Sequence, residues 1–146
     1  MKKILLLALL LLPIGATAAQ EDMIGLTAHN LFDNRISLGL SSKIKHRQLV
    51  NMRAQLMAVQ AIIGLLAEEK FAQTSKISRA KFGLTDEMKQ IYDLSKNEDF
   101  KKLGLAFHAS ADELAAALQT KDMKKSLQAL DNTMGYCVQC HNKFRQ

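Results

Sequence analysis

Proline is nearly missing from this chain: the single Pro13 lies close to the N-terminus, and nothing from residue 14 onward repeats it. Proline interrupts helices by removing an amide donor and clashing with the preceding turn, so its absence frees the whole body of the chain for helix. Tryptophan is absent, aromatic residues make up 5% of the sequence, and there are only two cysteines. One cysteine pair cannot build the disulfide framework of a small secreted scaffold. At 146 residues the chain is too short for two ordinary domains, and at 48% hydrophobic it is too apolar for disorder. These absences leave a single all-α domain as the expected class.

The N-terminus is set apart from that domain. Met1-Lys2-Lys3 precedes an apolar run at 4–12, then Pro13 and the small residues Ala16-Thr17-Ala18-Ala19. A positive start, a short apolar stretch and a small-residue cut site describe a secretory signal peptide. A membrane-spanning helix needs about 20 apolar residues, which this run does not reach. Cleavage after Ala18 and cleavage after Ala19 both fit. Residues 1–19 are thus read as a signal peptide, 20–41 as an extended lead-in with a short helical turn at 26–32, and 42–146 as the folded domain. Export implies a periplasmic protein with no membrane association after cleavage.

Charge of either sign is thinly and evenly spread. The formal net charge is +6, and it falls when Lys2 and Lys3 leave. Acidic and basic residues interleave, as in Lys96-Asn97-Glu98-Asp99-Phe100-Lys101-Lys102, which is a solvated face and not a phosphate-tracking stripe. No nucleic-acid partner is expected. Lys121, Lys124, Lys125, Lys143 and Arg145 make a candidate basic patch for steering an acidic redox partner.

Four helical stretches are legible. The first follows Ser41-Ser42, which suit an N-cap, and runs to about 69, with a seam of Leu49, Met52, Leu56, Val59, Ile63 and Leu66 in steps of three and four. The second covers 70–82 and stops at Gly83, with Thr85 capping a short continuation through Met88, Ile91 and Tyr92. The third begins near Asn97 and carries Phe100, Leu103, Phe107, Leu114 and Leu118. Beside that stripe lies a small-residue face of Gly104, Ala111 and Ala115, interrupted by His108, where either a neighbouring helix or a flat cofactor can come close. The fourth is capped by Asp122 and places Met123, Leu127, Leu130, Met134, Cys137, His141 and Phe144 on one stripe. Short connections between four helices predict an antiparallel four-helix bundle.

Both cysteines fall in Cys137-Val138-Gln139-Cys140-His141, the C-x-x-C-H pattern of covalent c-type haem attachment. Residues three apart share a helix face, so both thiols can reach one flat ring, and His141 brings its imidazole to the iron from the same side. A thioredoxin-like pair would need a strand leading into the helix, and no strand pattern occurs; zinc would need a further ligand at suitable spacing, for which His29, His46 and His108 are available only from far away in sequence. Carboxylate pairs, nucleophile–base arrangements and phosphate-cradling glycine loops do not occur, so no enzymatic role is expected.

A C-terminal Cys-Val-Gln-Cys-His followed by Asn142-Lys143-Phe144-Arg145, after three helices, resembles the class II c-type cytochromes, the cytochrome c prime superfamily. The resemblance covers roughly 42–146, with only the attachment motif and its Phe144-Arg145 tail specific. It implies a bundle with haem attached to the C-terminal helix, one haem c per chain, held by Cys137 and Cys140 with His141 as proximal ligand. Members with a methionine on the first helix are six-coordinate electron carriers; those with a bulky apolar residue there are five-coordinate and bind nitric oxide or carbon monoxide. Several members pair as homodimers. The sixth ligand here is open among Met52, Met57, His108 and none. Met52 lies on the inward seam, and Met57, turned roughly 140° away on a helix of 3.6 residues per turn, fits the family's first-helix spacing in Arg53-Ala54-Gln55-Leu56-Met57. Periodicity favours Met52. His108 reads better as a buried histidine bonded to a propionate or a backbone carbonyl than as a ligand. The expected function is periplasmic single-electron transfer with Met/His ligation, and the alternative is gas binding.

Overall fold

In the structure, a computed structural model, residues 33–146 are described; the expected signal peptide, most of the expected lead-in and the helical turn expected at 26–32 lie outside them. A two-residue strand, β1 (Ile36–Ser37), precedes α1 (Ser42–Ala67), α2 (Phe71–Phe82), α3 (Asp86–Leu94), α4 (Glu98–Gln119) and α5 (Met123–Lys143), and β2 (Phe144–Arg145) ends the order. Each start has a local cause. Ser41, Thr85, Asn97 and Asp122 are extended N-caps whose side chains accept the amide three residues on, from Ile44, Met88, Phe100 and Lys125 respectively. Two turns depend on a non-glycine residue in the left-handed region, Glu69 and Lys121, each at φ 55°.

The four long helices pack in chain order, α1 on α2, α2 on α4 and α4 on α5, with α3 against α4. Buried hydroxyls stitch α2 to α4: Ser75 donates to the Ala115 carbonyl at 3.2 Å and Ser78 to that of Ala111 at 3.4 Å. The pairing runs in opposite directions along the two helices. Thr133 bonds the Ser110 carbonyl while Lys143 pairs with Asp99, so α4 and α5 are antiparallel too. The molecule is an antiparallel four-helix bundle. Ala111 and Ala115, both fully buried, admit a neighbouring helix and not a cofactor.

Two apolar clusters form the interior. The larger holds Ile62, Leu66, Phe71, Phe82, Phe107, Leu114, Leu118 and Leu130; the smaller holds Met88, Ile91, Tyr92, Phe100 and Phe144. The seam expected on α1 is only half right. Val59 and Leu66 turn inward, but Leu49, Leu56 and Ile63 are exposed, Leu56 by 70%. On the N-terminal half Met52 of the expected seam does line the interior, but its companions are Gln48, Asn51 and Gln55, the four spaced i, i+3, i+4, i+7 from Gln48. By length and composition α1 is also apolar enough to cross a membrane, yet Ala58, Ile62 and Leu66 bury its inner face in the bundle. On α5, Leu127 and Met134 are likewise exposed, and Ser126 and Thr133 are buried in their stead.

The small parallel pairing of β1 with β2 carried no sequence signal. Ile36 lies opposite Phe144 and Ser37 opposite Arg145, extended by Leu38 donating to the Arg145 carbonyl at 3.0 Å. It ties the segment before α1 to the segment after α5.

Candidate cofactor site

α1 and α5 do not form an extended packed pair. Between them lies a half-open cleft of about 550 Å³, solvent at its mouth included. α1 lines it with Gln48, Asn51, Met52 and Gln55, and α5 faces these with Tyr136, Cys137, Cys140 and His141. Met88 and Tyr92 of α3 and Phe100, Leu103, Gly104 and Phe107 of α4 complete the wall.

The three residues of the attachment motif come together here. Cys137 packs on the larger apolar cluster and Cys140 on the smaller, so the thiols straddle the junction of the two cores. Both are free. Burial raises the Cys137 thiol above its ordinary range and pushes Cys140 up to about 11, with Cys137 adding to the latter, so both are protonated at neutral pH. His141 is more open than its place on the stripe suggested. It sits exposed at the cleft edge, and its ring has no hydrogen-bond or ion-pair partner among the described residues; only its backbone carbonyl is engaged, by Arg35 at 3.3 Å. Among the described residues no three His, Cys, Asp or Glu side chains converge to hold a metal ion.

The candidates for the far side separate clearly. Met52 lines the cleft, and its sulfur accepts from Gln146 Nε2 at 3.7 Å. Met57 is 69% exposed and lies outside the cleft lining. His108, 3% exposed, also lies off the cleft with both ring nitrogens engaged. Its Nδ1 is 2.5 Å from the Phe82 carbonyl, one of the two bonding modes expected for it, and its Nε2 is 2.9 Å from Tyr92 Oη. A carbonyl only accepts, so Nδ1 carries the proton, and in the neutral ring Nε2 accepts from the tyrosine hydroxyl. Tyr92 in turn packs against Gly104, where any Cβ would collide with its ring.

Reading the chain by numbers alone missed the polar wall of α1. Gln48 is 4% exposed, faces the cleft and makes no side-chain hydrogen bond among the described residues. Gln146 Oε1 is buried with no partner. The basic patch does not survive as one surface. Lys121, Lys124 and Lys125 lie at the start of α5 and Lys143 and Arg145 at its end, roughly 30 Å apart at 1.5 Å per residue. Lys125 and Lys143 are also paired, with Asp122 and Asp99.

The donor set suits a flat, iron-bearing ring: two unpaired thiols one helical turn apart, an unengaged imidazole beside them, and a gap where two helices would otherwise close. Searches of curated proteins and of solved structures return no match. Comparison with known families matches residues 45–145 to the family Cytochrome C', a span that takes in nearly all of α1, the whole cleft wall and the complete attachment motif. The chain therefore belongs to the cytochrome c' family, as a c-type cytochrome of the four-helix-bundle kind whose cofactor is haem c.

Proposed function

We propose that this cytochrome is a periplasmic single-electron carrier in which Cys137 and Cys140 bind the haem as thioethers, His141 is the proximal iron ligand and Met52 the distal one. The observation that carries the reading is the position of Met52 on the cleft wall facing His141, with Met57 turned to solvent. The haem supplies the one-electron couple, and thioether/imidazole ligation favours the reduced form. The chain's own part is to hold that couple rigid and dry. Tyr92, Phe100, Leu103 and Phe107 form an apolar wall, and the thioethers remove any need for the cofactor to leave and rebind. Replacing Met52 by alanine should turn the ferric spectrum from low-spin to high-spin, while Met57→Ala leaves it alone. A low-spin Met52→Ala protein would refute the assignment.

A second reading, gas binding at a displaceable sixth position, draws support from Gln48, whose unpartnered amide faces the cleft. Rapid, complete uptake of carbon monoxide by the reduced protein would favour it, and inertness the electron carrier. The leader sequence supports export. For the redox partner, Lys102, which shares a shallow surface cleft with Gln139 and Asn142 beside the attachment motif, replaces the wider patch as the candidate docking cation. The outward stripe of Leu49, Leu56 and Ile63 supports pairing with a second copy, to be tested by comparing the sedimentation of wild type and Leu56→Glu.

A further inference from the structure

The Tyr92–His108 pair is buried, titratable and unused by the electron carrier described above. It stands between two clefts. Tyr92 lines the cofactor cleft, and His108 lines a second, solvent-open cleft together with Lys81, Gly83, Thr85 and Glu87. Asn51, Gln55 and Met88 border both clefts and form the partition. We propose, building on the electron-carrier reading, that His108 is a proton-binding site coupled to the haem through Tyr92, so that under mildly acidic conditions the protein takes up a proton along with the electron.

Both ring nitrogens keep a partner in either protonation state. In the neutral ring, Nδ1–H donates to the Phe82 carbonyl and Nε2 accepts from Tyr92. When Nε2 is protonated, its N–H donates to Tyr92 Oη, and the phenolic hydrogen rotates away about its C–O bond. A hydroxyl acts as donor or acceptor by such a rotation. Phe82 is the last residue of α2, so the carbonyl that holds Nδ1 is one of the free helix-end acceptors, whose partial negative charge suits a cation.

The surrounding charges are few. On α4, Asp112 lies one turn beyond His108 and is paired with Arg79 of α2. From α2 come the Phe82 carbonyl and Lys81 at the second cleft; from α3, Tyr92 and Glu87, the latter paired with Arg47 of α1. From α5 the neighbour of Tyr92 is Cys140, which carries no charge once it is a thioether. None of these is an unpaired carboxylate in contact with the ring, so the charge on the cofactor is the main variable it feels. An electron from the redox partner converts ferric to ferrous iron and removes one positive charge; a proton from solvent, entering by the second cleft, adds one at Nε2. No other bond forms or breaks, and the net charge of the buried centre is unchanged. Burial lowers the proton affinity of His108, opposed by the Phe82 carbonyl and Asp112, so uptake lies below the ordinary histidine value of about 6.5.

The test is the midpoint potential of the haem-loaded protein from pH 4.5 to 8. The ferrous-to-ferric ratio at fixed solution potential should be constant above about pH 7. Below about 6.5 it should rise by up to tenfold per pH unit of acidification, and His108→Gln should abolish that rise. A flat wild-type profile, or the same rise in His108→Gln, overturns the proposal. Should that variant not fold, the ring ¹⁵N shifts of His108 in the wild type decide. Its titration midpoint must be higher in the reduced than in the oxidised protein, and equal midpoints overturn the coupling. Absence of any reversible one-electron couple would instead overturn the electron-carrier reading, and with it the proposal.

Discussion

Gly104→Ala tests how tightly Tyr92 is held against the cofactor cleft. An added Cβ would overlap Cε1, Cζ and Oη of that ring. The ring has little room to yield. It meets Phe100 edge-on at 5.7 Å and His108 at 5.8 Å, and its hydroxyl is bonded to Nε2 at 2.9 Å. Overpacking of this kind costs about 1–3 kcal/mol, and pulling the hydroxyl off His108 adds about 1 kcal/mol. Alanine in place of glycine inside a helix returns about 0.8–1 kcal/mol, so the net loss should be about 1–3 kcal/mol. Gly64→Ala is the control: it lies within α1, an added Cβ there meets nothing within 4 Å, and it should gain about 1 kcal/mol. The two variants should therefore differ by about 2–4 kcal/mol. With a urea m-value of about 1–3 kcal/mol/M, their midpoints would stand about 0.7–4 M apart on haem-loaded protein. A Gly104→Ala variant as stable as the Gly64→Ala control would refute the packing described for Tyr92.

Leu114→Ala removes a side chain with no exposed surface from the larger cluster and should cost about 2–5 kcal/mol, read by chemical unfolding. Lys121→Gly relieves a left-handed backbone at φ 55°. Relief of about 1–2 kcal/mol against glycine's greater unfolded entropy of about 0.4–1 kcal/mol should leave a small gain in melting temperature. Because burial holds the folded-state pKa of His108 below its unfolded value, the unfolded chain binds the extra proton first. Stability should then fall as pH drops below about 6.5, and less so in His108→Gln. In chain made without haem attachment, alkylation of Cys137 and Cys140 should be slow at pH 7 and should accelerate as pH approaches 11, where Cys140 ionises.

The helix starts were legible because capping is local: Ser41, Thr85, Asn97 and Asp122 each act on an amide three residues away. The face of α1 was not. Its apolar residues satisfy two overlapping three-four stripes, and periodicity cannot tell which one meets the core. The N-terminal half of this helix borders a cleft and not a packed neighbour, so Gln48, Asn51 and Gln55 sit where a core would demand leucine. The small face of α4 was seen, but its division was not: Ala111 and Ala115 serve α2, and Gly104 serves Tyr92. Two-residue strands are too short to alternate, which hid β1 and β2. The attachment motif needed no fold to be read, since its five residues are contiguous. Placing Met52 on the cleft wall and Met57 in solvent required the rotation of α1.

Pairing β1 with β2 also decides how the molecule bears load. The strands are parallel, so tension applied at the start of β1 and the end of β2 shears the pair instead of unzipping it. The Leu38–Arg145 bond and the Arg145 side chain on the Arg35 carbonyl, at 3.3 Å, lie in the same path. These bonds would have to give way together before the strands part. Arg35 also grips the carbonyl of His141, so a pull on the lead-in is felt at the histidine expected to hold the iron. The clasp thus couples the segment before α1 mechanically to the proximal end of the site, and a chain lacking residues 35–38 should rupture at lower force in a single-molecule pulling experiment.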